Sequence, residues 1–461
     1  GRKNNFFDRG NPPMEGRMKS SIHRKRVDMI IANGVVLTGS PGEAPLQSGA
    51  LAIDRGKIIA LDHKERIESM FQASKSLDAR GGLIMPGLIN CHTHLPMSLF
   101  RGYADDLPLE NWLRDYIFPM ERKCLSPEWV YWGSLLSLAE SIRCGTTTLA
   151  DGYFFEEEVA RAVEESGVRA ILGQGILDFP TPDSPSPEDA LSRAETLIQK
   201  YQGHPLIQPA LFPHTVYTCS PPLLRKCFDL AERYQIPMMI HLAETKEEVK
   251  EILGRYGRSP ICHLNHLGLL SPSLIASHCV LVTEEEMNML TLQGVKVVHN
   301  PESNMKLAAG VAPIPDFLAR KIPVGLGSDG CASNNNLDLF QEMDTAAKLH
   351  KIHRLNATQM PAPVVLEMAT LGGAKVLGLE KSVGSLEVGK KADIIVVELN
   401  RPHLQPPLNL ISHLVYSAVG SDVRDVIVEG RILMEDRKLL TLDEERILYE
   451  AKELTRSLNK K

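Results

Sequence analysis

The chain has 461 residues, of which 43% are hydrophobic and 23% are charged, a composition that excludes disordered and fibrous proteins and provides a large core. Its formal net charge of -6 argues against nucleic acid as a partner, because nucleic-acid-binding proteins concentrate basic residues on one surface. No apolar run is long enough to cross a bilayer, so we expect no membrane partner.

The N-terminal segment 1–26 is basic and lacks the apolar stretch of a signal peptide. We expect it to be a leader or arm outside the fold, with Met18 as the natural start and a polyanion-binding tail as the alternative. Residues 27–80 follow as short β-branched runs around Asn33-Gly34 and Arg55-Gly56, which are dipeptides that favour tight turns. This pattern predicts a small antiparallel sheet.

Residues 81–382 alternate apolar strands with amphipathic helices such as EEEVARAVEESG and PEDALSRAETLIQKYQ, which is typical of a parallel sheet wrapped by crossover helices. The predicted strands lie in LIMPGLINCHTH, TTTLADG, VRAILGQG, LIQPALFPH, PMMIHLAET, LIASHCV, VKVVHN and IPVGLGSDG. Eight strands over roughly 300 residues predict a (β/α)8 barrel.

Residues 383–440 return to short β-branched runs separated by turns, and residues 441–461 have apolar positions at helical spacing. We expect 383–440 to join 27–80 in one small β-sandwich domain and 441–461 to form an amphipathic C-terminal helix. The predicted fold is therefore α/β, a TIM barrel with a composite β-sandwich built from both terminal segments.

The stretch MPGLINCHTHLPM places His92 and His94 at the end of an apolar strand. Residues two apart in a strand point to the same side, so the two imidazoles are expected to converge. Alone, an H-x-H pair is a weak indication of a metal, because short motifs match by chance.

Functional groups of a barrel gather at the C-terminal ends of its strands. Those ends carry, in order, His92, His94, His214, His241, Glu244, His278, His299 and Asp329. A metal that activates water needs neutral imidazoles, a carboxylate and one open coordination position. The candidate ligands are His92, His94, His241 and Asp329. Three nitrogens and one oxygen suit Zn²⁺, and Fe²⁺ is compatible with the same set.

Glu244 follows His241 by three residues, where a carboxyl group can move protons between a water molecule and a substrate. Its alternative role is a first-turn glutamate favoured by the dipole of the next helix. His278 is a candidate to hydrogen-bond the attacking water, with an ordinary strand-end histidine as the alternative. The residues alone leave both alternatives open.

The segments MPGLINCHTHLPM, HLAET, SHC, VVHNPESNMKLAAG and GLGSDGCASNNNLDLFQEM resemble the amidohydrolase superfamily, and more narrowly its 5′-methylthioadenosine/S-adenosylhomocysteine deaminase group. The likeness extends from about Val27 to about Leu440. It implies one catalytic metal and hydrolytic deamination of an adenine ring, in which water attacks C6 and ammonia leaves. Binuclear members carry a bridging lysine at the end of the fourth strand, and LIQPALFPH contains no lysine.

Carried onto this chain, the resemblance makes Asp329 a proton acceptor from the attacking water as well as a ligand. Glu244 would protonate the ring nitrogen beside the reacting carbon, and His278 would hold the water. His214 would contact the substrate, and Glu121 in IFPMERK would accept hydrogen bonds from the ribose hydroxyls. The alternative for Glu121 is a surface ion pair with its basic neighbours.

The substrate preference is less constrained, with 5′-methylthioadenosine, adenosine and S-adenosylhomocysteine as candidates. Members that accept S-adenosylhomocysteine are expected to carry an arginine after the third strand, whereas LGQGILDFPTPDSP has none and Arg193 is the nearest candidate. This absence favours the two smaller nucleosides. Trp112, Phe118 and Met97 are candidates to stack on adenine or shelter a methylthio group, although such residues more often serve packing alone.

Two rival functions stay open. One is a deaminase of guanine or a pterin, or an s-triazine hydrolase, for which a ribose-binding Glu121 would have no purpose. The other is a non-catalytic assembly protein on the same barrel, which the full set of four ligands disfavours. The eight cysteines lack a C-x-x-C pair and fit a reducing cytoplasm. The resemblance also allows a homo-oligomer.

Overall fold

A computed structural model describes residues 24–456 and residue 458. Its strands are β1 Lys25–Val36, β2 Leu46–Asp54, β3 Lys57–His63, β4 Phe71–Asp78, β5 Leu83–Pro86, β6 Leu88–Thr93, β7 Thr146–Tyr153, β8 Arg169–Ile176, β9 Ile207–Pro213, β10 Met238–Leu242, β11 Leu274–His278, β12 Lys296–His299, β13 Val324–Leu326, β14 Ile394–Val397, β15 Val423–Val428, β16 Arg431–Glu435 and β17 Lys438–Leu439. Residues 1–23 of the predicted leader lie outside the described residues, whereas Lys25 and Arg26 at its end belong to β1.

The α-helices are α1 Lys64–Met70, α2 Leu109–Asn111, α3 Phe118–Cys124, α4 Pro127–Arg143, α5 Glu156–Ser166, α6 Pro187–Tyr201, α7 Pro221–Tyr234, α8 Lys246–Tyr256, α9 Pro260–His266, α10 Glu284–Gln293, α11 Pro301–Lys306, α12 Ile314–Ala319, α13 Leu339–His353, α14 Ala362–Met368, α15 Leu371–Leu377, α16 Leu410–Tyr416 and α17 Glu444–Thr455. A π-helix spans Trp112–Ile117, and 3₁₀ helices span Leu95–Phe100, Pro402–Leu404 and Gly420–Asp422. In the described part of the chain, no helix is both long and apolar enough to cross a membrane.

The barrel prediction is confirmed. Strands β6 to β13 form one parallel sheet in chain order, and each predicted barrel segment contains one of these strands. The barrel is nearly closed, because the segment after β13 bonds the first strand, β6: the Asp329 N–H donates to the His92 carbonyl over 2.9 Å, and Asn90 Nδ2 donates to Ser328 Oγ over 2.7 Å. The seam of the barrel therefore lies at two of the predicted metal ligands.

The small domain combines both terminal segments, as predicted. Its strands follow the order β17-β16-β15-β14-β5-β1-β2-β3, and β4 also pairs with β1. One face encloses a separate hydrophobic core to which residues such as Ile31, Ile53, Ile394 and Ile427 contribute. The sheet is mixed rather than purely antiparallel, because β1 pairs in parallel with β4 and β5.

The turn predicted at Asn33-Gly34 is wrong, whereas the one at Arg55-Gly56 joins β2 to β3. Asn33 has a left-handed φ of 62°, and a register shift against β2 follows Ile31. Asn33-Gly34 is thus a bulge inside the long strand β1. A side chain at position 34 would meet the Gly82 carbonyl oxygen at 2.7 Å, which explains the glycine.

The predicted strand LIMPGLINCHTH is divided at Gly87. The part before it, β5, belongs to the small sheet, and the part after it, β6, begins the barrel. A Cβ at Gly87 would lie 2.0 Å from Thr147 Oγ1, so only glycine allows this close passage between the sheets. The barrel strands therefore start at Leu88.

A buried ion pair joins the small sheet to the barrel. Arg169 at the start of β8 donates to both carboxylate oxygens of Asp393 over 2.8 and 3.0 Å. Asp393 precedes β14 and also accepts the Glu429 N–H over 2.8 Å. The last helix, α17, packs on α4. Arg143 at the end of α4 pairs with Glu444 at the start of α17 over 2.5 Å.

Candidate active site

The four predicted metal ligands meet at the C-terminal ends of β6, β10 and β13. His241 Nε2 lies 3.2 Å from the Nε2 atoms of both His92 and His94. Asp329 Oδ1 lies 3.4 Å from His92 Nε2 and 3.2 Å from His94 Nε2. A tetrahedral Zn²⁺ with bonds of about 2.0–2.1 Å separates its ligand atoms by roughly 3.3–3.4 Å. These four separations are close to those of a tetrahedral cation site.

Hydrogen bonds behind the ligands fix their orientation. The Nδ1–H of His94 donates to the Gly152 carbonyl over 2.7 Å, which leaves Nε2 free to bind a metal. Asp151 Oδ1 accepts from the Thr93 hydroxyl over 2.8 Å and the Leu95 N–H over 2.6 Å. These bonds hold the backbone on both sides of His94.

Asp329 is held by two hydroxyl groups. Ser303 Oγ and Ser333 Oγ donate to Asp329 Oδ2 over 2.6 and 2.8 Å, while Oδ1 faces the imidazoles. Its backbone has a left-handed φ of 62°, a conformation that costs free energy and often occurs at functional sites. Only one of the two carboxylate oxygens is thus directed at the ligand cluster.

Burial favours the neutral imidazole, the form that binds a metal, at three of the histidines around the cluster. Desolvation lowers the pKa of His92 to about 4 and that of His214 to about 3, and it lowers the pKa of His241 well below its usual value. Burial acts in the same direction on His94 and is the largest single effect there. The hydrogen bond and charge of Asp329, the charge of Asp151 and the bond to Gly152 together exceed it and raise the pKa of His94 to about 9. A cation at Asp329 would compete with that proton.

Glu244 and His278 lie beside the ligand cluster. Glu244 Oε1 is 3.7 Å from His278 Nδ1, and burial raises the pKa of Glu244 above its ordinary value. His278 Nδ1 hydrogen-bonds Asn304 Oδ1 over 2.9 Å, so Nε2 is the free nitrogen. His278 offers one ring nitrogen that lies within 4.8 Å of ligand atoms of His92, His241 and Asp329. It is therefore a further side chain close to a cation held there.

The site opens into a cavity whose walls are mostly apolar. Predicted residues that line it are Met97, Trp112, Phe118, Glu121, His214, His241, Glu244 and Asp329. Phe212 lies under the ligands, with its ring centre 5.1 Å from that of His241. His214 touches the same cluster, its ring centre 5.0 Å from that of His241, and its Nδ1 bonds Thr218 Oγ1 over 3.1 Å.

Glu121 is buried in the cavity wall, which excludes the alternative of a surface ion pair. Its exposed fraction is 3%, and its Oε1 accepts the Tyr153 hydroxyl over 2.5 Å. Burial raises the pKa of Glu121 to about 7, against the lowering effect of that hydrogen bond. The Tyr153 ring in turn lies 6.1 Å from the ring of His94, so Tyr153 connects Glu121 to the ligand cluster.

Two predicted or candidate residues lie elsewhere. Arg193 is on α6 and pairs with Glu157 over 2.7 Å, and it does not line the cavity. This position gives no support to a substrate contact. His299 ends β12 but bonds the Nε2 of His350 on α13 over 3.1 Å, away from the cavity lining.

Sequence reasoning missed four polar residues of the site: Tyr153, Ser303, Asn304 and Ser333. Ser303 and Asn304 lie within the segment VVHNPESNMKLAAG, which carried the family resemblance but no assigned role. Single polar residues at a strand end, in a short helix or in a turn have no periodic pattern, so their partners become visible only in the folded chain.

Comparison with known proteins agrees with this geometry. Residues 83–433 match the amidohydrolase family. A 5-methylthioadenosine/S-adenosylhomocysteine deaminase of Syntrophobacter fumaroxidans is 51% identical over 433 residues, which are 94% of this chain and 99% of the relative. A 5′-deoxyadenosine deaminase of Methanosarcina mazei is 45% identical over 94% of this chain and 98% of the relative.

A solved structure of an adenosine deaminase from Xanthomonas campestris with bound zinc superimposes with a TM-score of 0.93. It is 37% identical to this protein, and the match covers 94% of this chain and 99% of the other. The match in sequence and in fold extends over nearly the whole length of both relatives and of this structure. The chain belongs to the amidohydrolase family.

Proposed function

We propose that this protein hydrolytically deaminates the adenine ring of a nucleoside, namely 5′-methylthioadenosine, adenosine or S-adenosylhomocysteine. The observation that carries the proposal is the pairing of a tetrahedral ligand cluster with the buried carboxylate of Glu121 in one apolar cavity. The cluster suits the reacting ring carbon, and Glu121 suits the ribose hydroxyls. The deaminase names of the relatives support the same reaction.

The cofactor proposed is one divalent ion per chain, with Zn²⁺ as the best fit and Fe²⁺ as the alternative. His92, His94, His241 and Asp329 would hold it. A divalent ion bound there would lower the pKa of a water molecule to about 7 and so would supply a nucleophile at neutral pH. The zinc bound to the Xanthomonas campestris adenosine deaminase supports this choice of metal.

Proton transfers are assigned to Glu244 and Asp329. Asp329 accepts a proton from the attacking water while the water oxygen bonds C6 of adenine. Glu244 protonates N1 of the ring, and burial raises the pKa of this carboxyl group above its ordinary value, which favours its acid form. His278, with Nδ1 bonded to Asn304, presents Nε2 to the water and holds it in line. Asp329 would then pass its proton to the amino group, which leaves as ammonia. The C6 hydroxyl would return a proton to Glu244, and C6 becomes the carbonyl of an inosine-type product.

The apolar walls favour substrates with a small 5′ substituent. Among the cavity-lining residues that the structure describes, none is lysine or arginine, so the carboxylate of a homocysteine moiety meets no cation there. Trp112 and Phe118 offer aromatic surface for adenine or a methylthio group. We therefore propose 5′-methylthioadenosine and adenosine as better substrates than S-adenosylhomocysteine.

A cytoplasmic location is proposed for the same chain. All eight cysteines are free thiols and five of them are buried, which fits a reducing compartment. A nucleoside released by metabolism inside the cell would be accessible to the enzyme there.

The proposal is tested by measuring ammonia release from a panel of 5′-methylthioadenosine, adenosine, S-adenosylhomocysteine, guanine and an s-triazine. We expect turnover of the adenosine derivatives, with S-adenosylhomocysteine the slowest. Turnover of guanine or the triazine alone would support the rival heterocycle reaction and contradict the nucleoside assignment. Inertness towards every compound, with metal bound, would contradict an enzymatic role.

A further inference from the structure

A second glutamate, Glu248 on α8, is bound to the backbone that carries Glu244. Its exposed fraction is only 4%. Glu248 Oε1 accepts the Ala243 N–H over 2.9 Å, and Oε2 accepts the Glu244 N–H over 2.7 Å. One buried carboxylate thus satisfies two consecutive peptide groups at the point where β10 ends.

The start of α10 shows what an ordinary helix-capping glutamate does. Thr283 Oγ1 accepts the Glu286 N–H over 3.3 Å, and the Glu286 carboxylate accepts the Thr283 N–H over 2.7 Å. This reciprocal pair is a capping box. The other carboxylate oxygen of Glu286 accepts the Ser259 hydroxyl at the start of α9.

The start of α8 departs from that pattern. Thr245 Oγ1 accepts the Glu248 N–H over 3.2 Å, as at α10. The Glu248 carboxylate, however, does not bond the N–H of Thr245. It accepts the N–H groups of Ala243 and Glu244, the two residues before Thr245. The side chain therefore fixes the segment that leaves the strand rather than the first turn of the helix.

That segment needs support because its backbone is strained. Ala243 has a left-handed φ of 53°, a conformation that residues other than glycine rarely adopt. The Ala243 carbonyl accepts the N–H groups of Val280 and Leu281 over 3.0 and 2.9 Å. Glu248 accepts the N–H of the peptide bond between Ala243 and Glu244, and the residues that follow β11 donate to the carbonyl of the same peptide. This peptide bond is therefore held on both sides.

We propose that Glu248 is a positioning residue, which holds the backbone of Glu244 so that the Glu244 carboxyl reaches the ring nitrogen of the substrate. This inference rests on the proposed deamination. Glu248 touches neither the substrate cavity described above nor the four ligands. Its loss therefore acts on proton transfer, not on metal binding or on substrate affinity.

The test compares Glu248→Ala and Glu248→Gln with a matched control, Glu286→Ala, which removes the equivalent side chain from α10. Metal content, unfolding temperature, and kcat and KM for 5′-methylthioadenosine are measured on each protein. We expect Glu248→Ala to lower kcat by about 100-fold, the effect of a misplacement near 1 Å, with KM and metal content preserved. Glu248→Gln keeps one acceptor oxygen and an unchanged size, so its kcat is expected to lie between those of Glu248→Ala and the native protein.

Glu286→Ala is expected to lower the unfolding temperature while leaving kcat unchanged. A native kcat in Glu248→Ala would overturn the inference, as would an equal loss of kcat in Glu286→Ala. Loss of metal from both Glu248 variants would overturn it too, because the effect would then pass through His241. Failure of the native protein to deaminate any adenosine derivative would instead refute the proposed function, and the positioning role with it.

Discussion

Buried ionisable groups are arranged in opposite ways in two regions of the molecule. Where the small sheet meets the barrel, Arg169 and Asp393 neutralise each other through two hydrogen bonds. At the C-terminal ends of the barrel strands, His92 lies with its ring centre within 4.8 to 5.5 Å of those of His94, His241 and His278. In the first region each charge already has a partner of opposite sign. In the second region several imidazole nitrogens lie together, and a cation would provide their common partner. Stability and function are therefore assigned to different ends of the barrel.

Removal of one ligand should produce the largest change. His241→Ala is expected to lower ammonia release by more than roughly 10³-fold, since the nucleophile depends on the cation and enzymes accelerate reactions by at least about 10⁶-fold. The matched control is His350→Ala, which removes a buried histidine outside the cavity. Near-native turnover in His241→Ala would show that this histidine is not needed.

The proton-transfer group comes next. Glu244→Gln should retain bound metal but lower kcat by about 10²- to 10⁴-fold, the range for loss of a general acid or base. Glu247→Gln, an exposed neighbour on α8, serves as the control with native kcat. Full activity in Glu244→Gln would contradict the role given to this carboxyl group.

Substitutions at the junction between the small sheet and the barrel should lower stability and leave activity unchanged. Arg169→Ala leaves the Asp393 carboxylate buried without its partner and should lower the free energy of unfolding by about 3–5 kcal/mol, measured by urea denaturation. The double variant with Arg169→Met and Asp393→Leu should recover most of this loss, because an apolar pair replaces both charges. A fall in kcat of either folded variant would contradict the assignment of stability to this junction and of catalysis to the C-terminal strand ends.

Glu121→Gln should have the smallest of these effects and act on substrate affinity. Replacing a charged acceptor weakens its hydrogen bonds to ribose by about 1.5–3 kcal/mol, which corresponds to a rise in KM of roughly 10- to 150-fold. A substrate without the 2′- and 3′-hydroxyl groups provides the control, since the native enzyme and the variant should bind it alike. Equal KM values for adenosine in both proteins would exclude the ribose contact.

The same residue gives a prediction for pH dependence. Burial raises the pKa of Glu121 to about 7, so the carboxyl group is protonated below that pH and loses its capacity to accept two hydroxyl donors. The KM of the native enzyme for adenosine is therefore expected to rise as pH falls through about 7. In Glu121→Gln the KM should be raised but should lack this dependence, which steady-state rates across pH 5.5 to 8.5 would reveal.

The order of the barrel strands, and the meeting of the four candidate ligands at strand ends, could be predicted from the sequence because both follow from period and position. His92 and His94 lie two apart at a strand end, and His241 and Asp329 lie at other strand ends. The division at Gly87 could not be predicted, since it depends on Thr147 from a neighbouring strand. The partners of Asp329 and His278 could not be predicted for the same reason, because they come from the short helix α11, which is distant in sequence, and from a turn.

Arg193 shows the limit of arguing from spacing along the chain. It was the nearest cation to the third strand in sequence, yet α6 directs it to Glu157. Glu121 shows the converse, because its neighbours Arg122 and Lys123 suggested a surface ion pair whereas the fold buries it beside Tyr153. In both cases the helix face, not the sequence neighbourhood, decides the role.

The central claim is that one cation is held between β6, β10 and β13. Elemental analysis of the purified protein after dialysis, repeated on His241→Ala and His350→Ala, tests it most directly. The geometry predicts about one divalent ion per chain in the native protein and in His350→Ala, and almost none in His241→Ala. A native level of metal in His241→Ala, or two ions per native chain, would contradict the single four-ligand site.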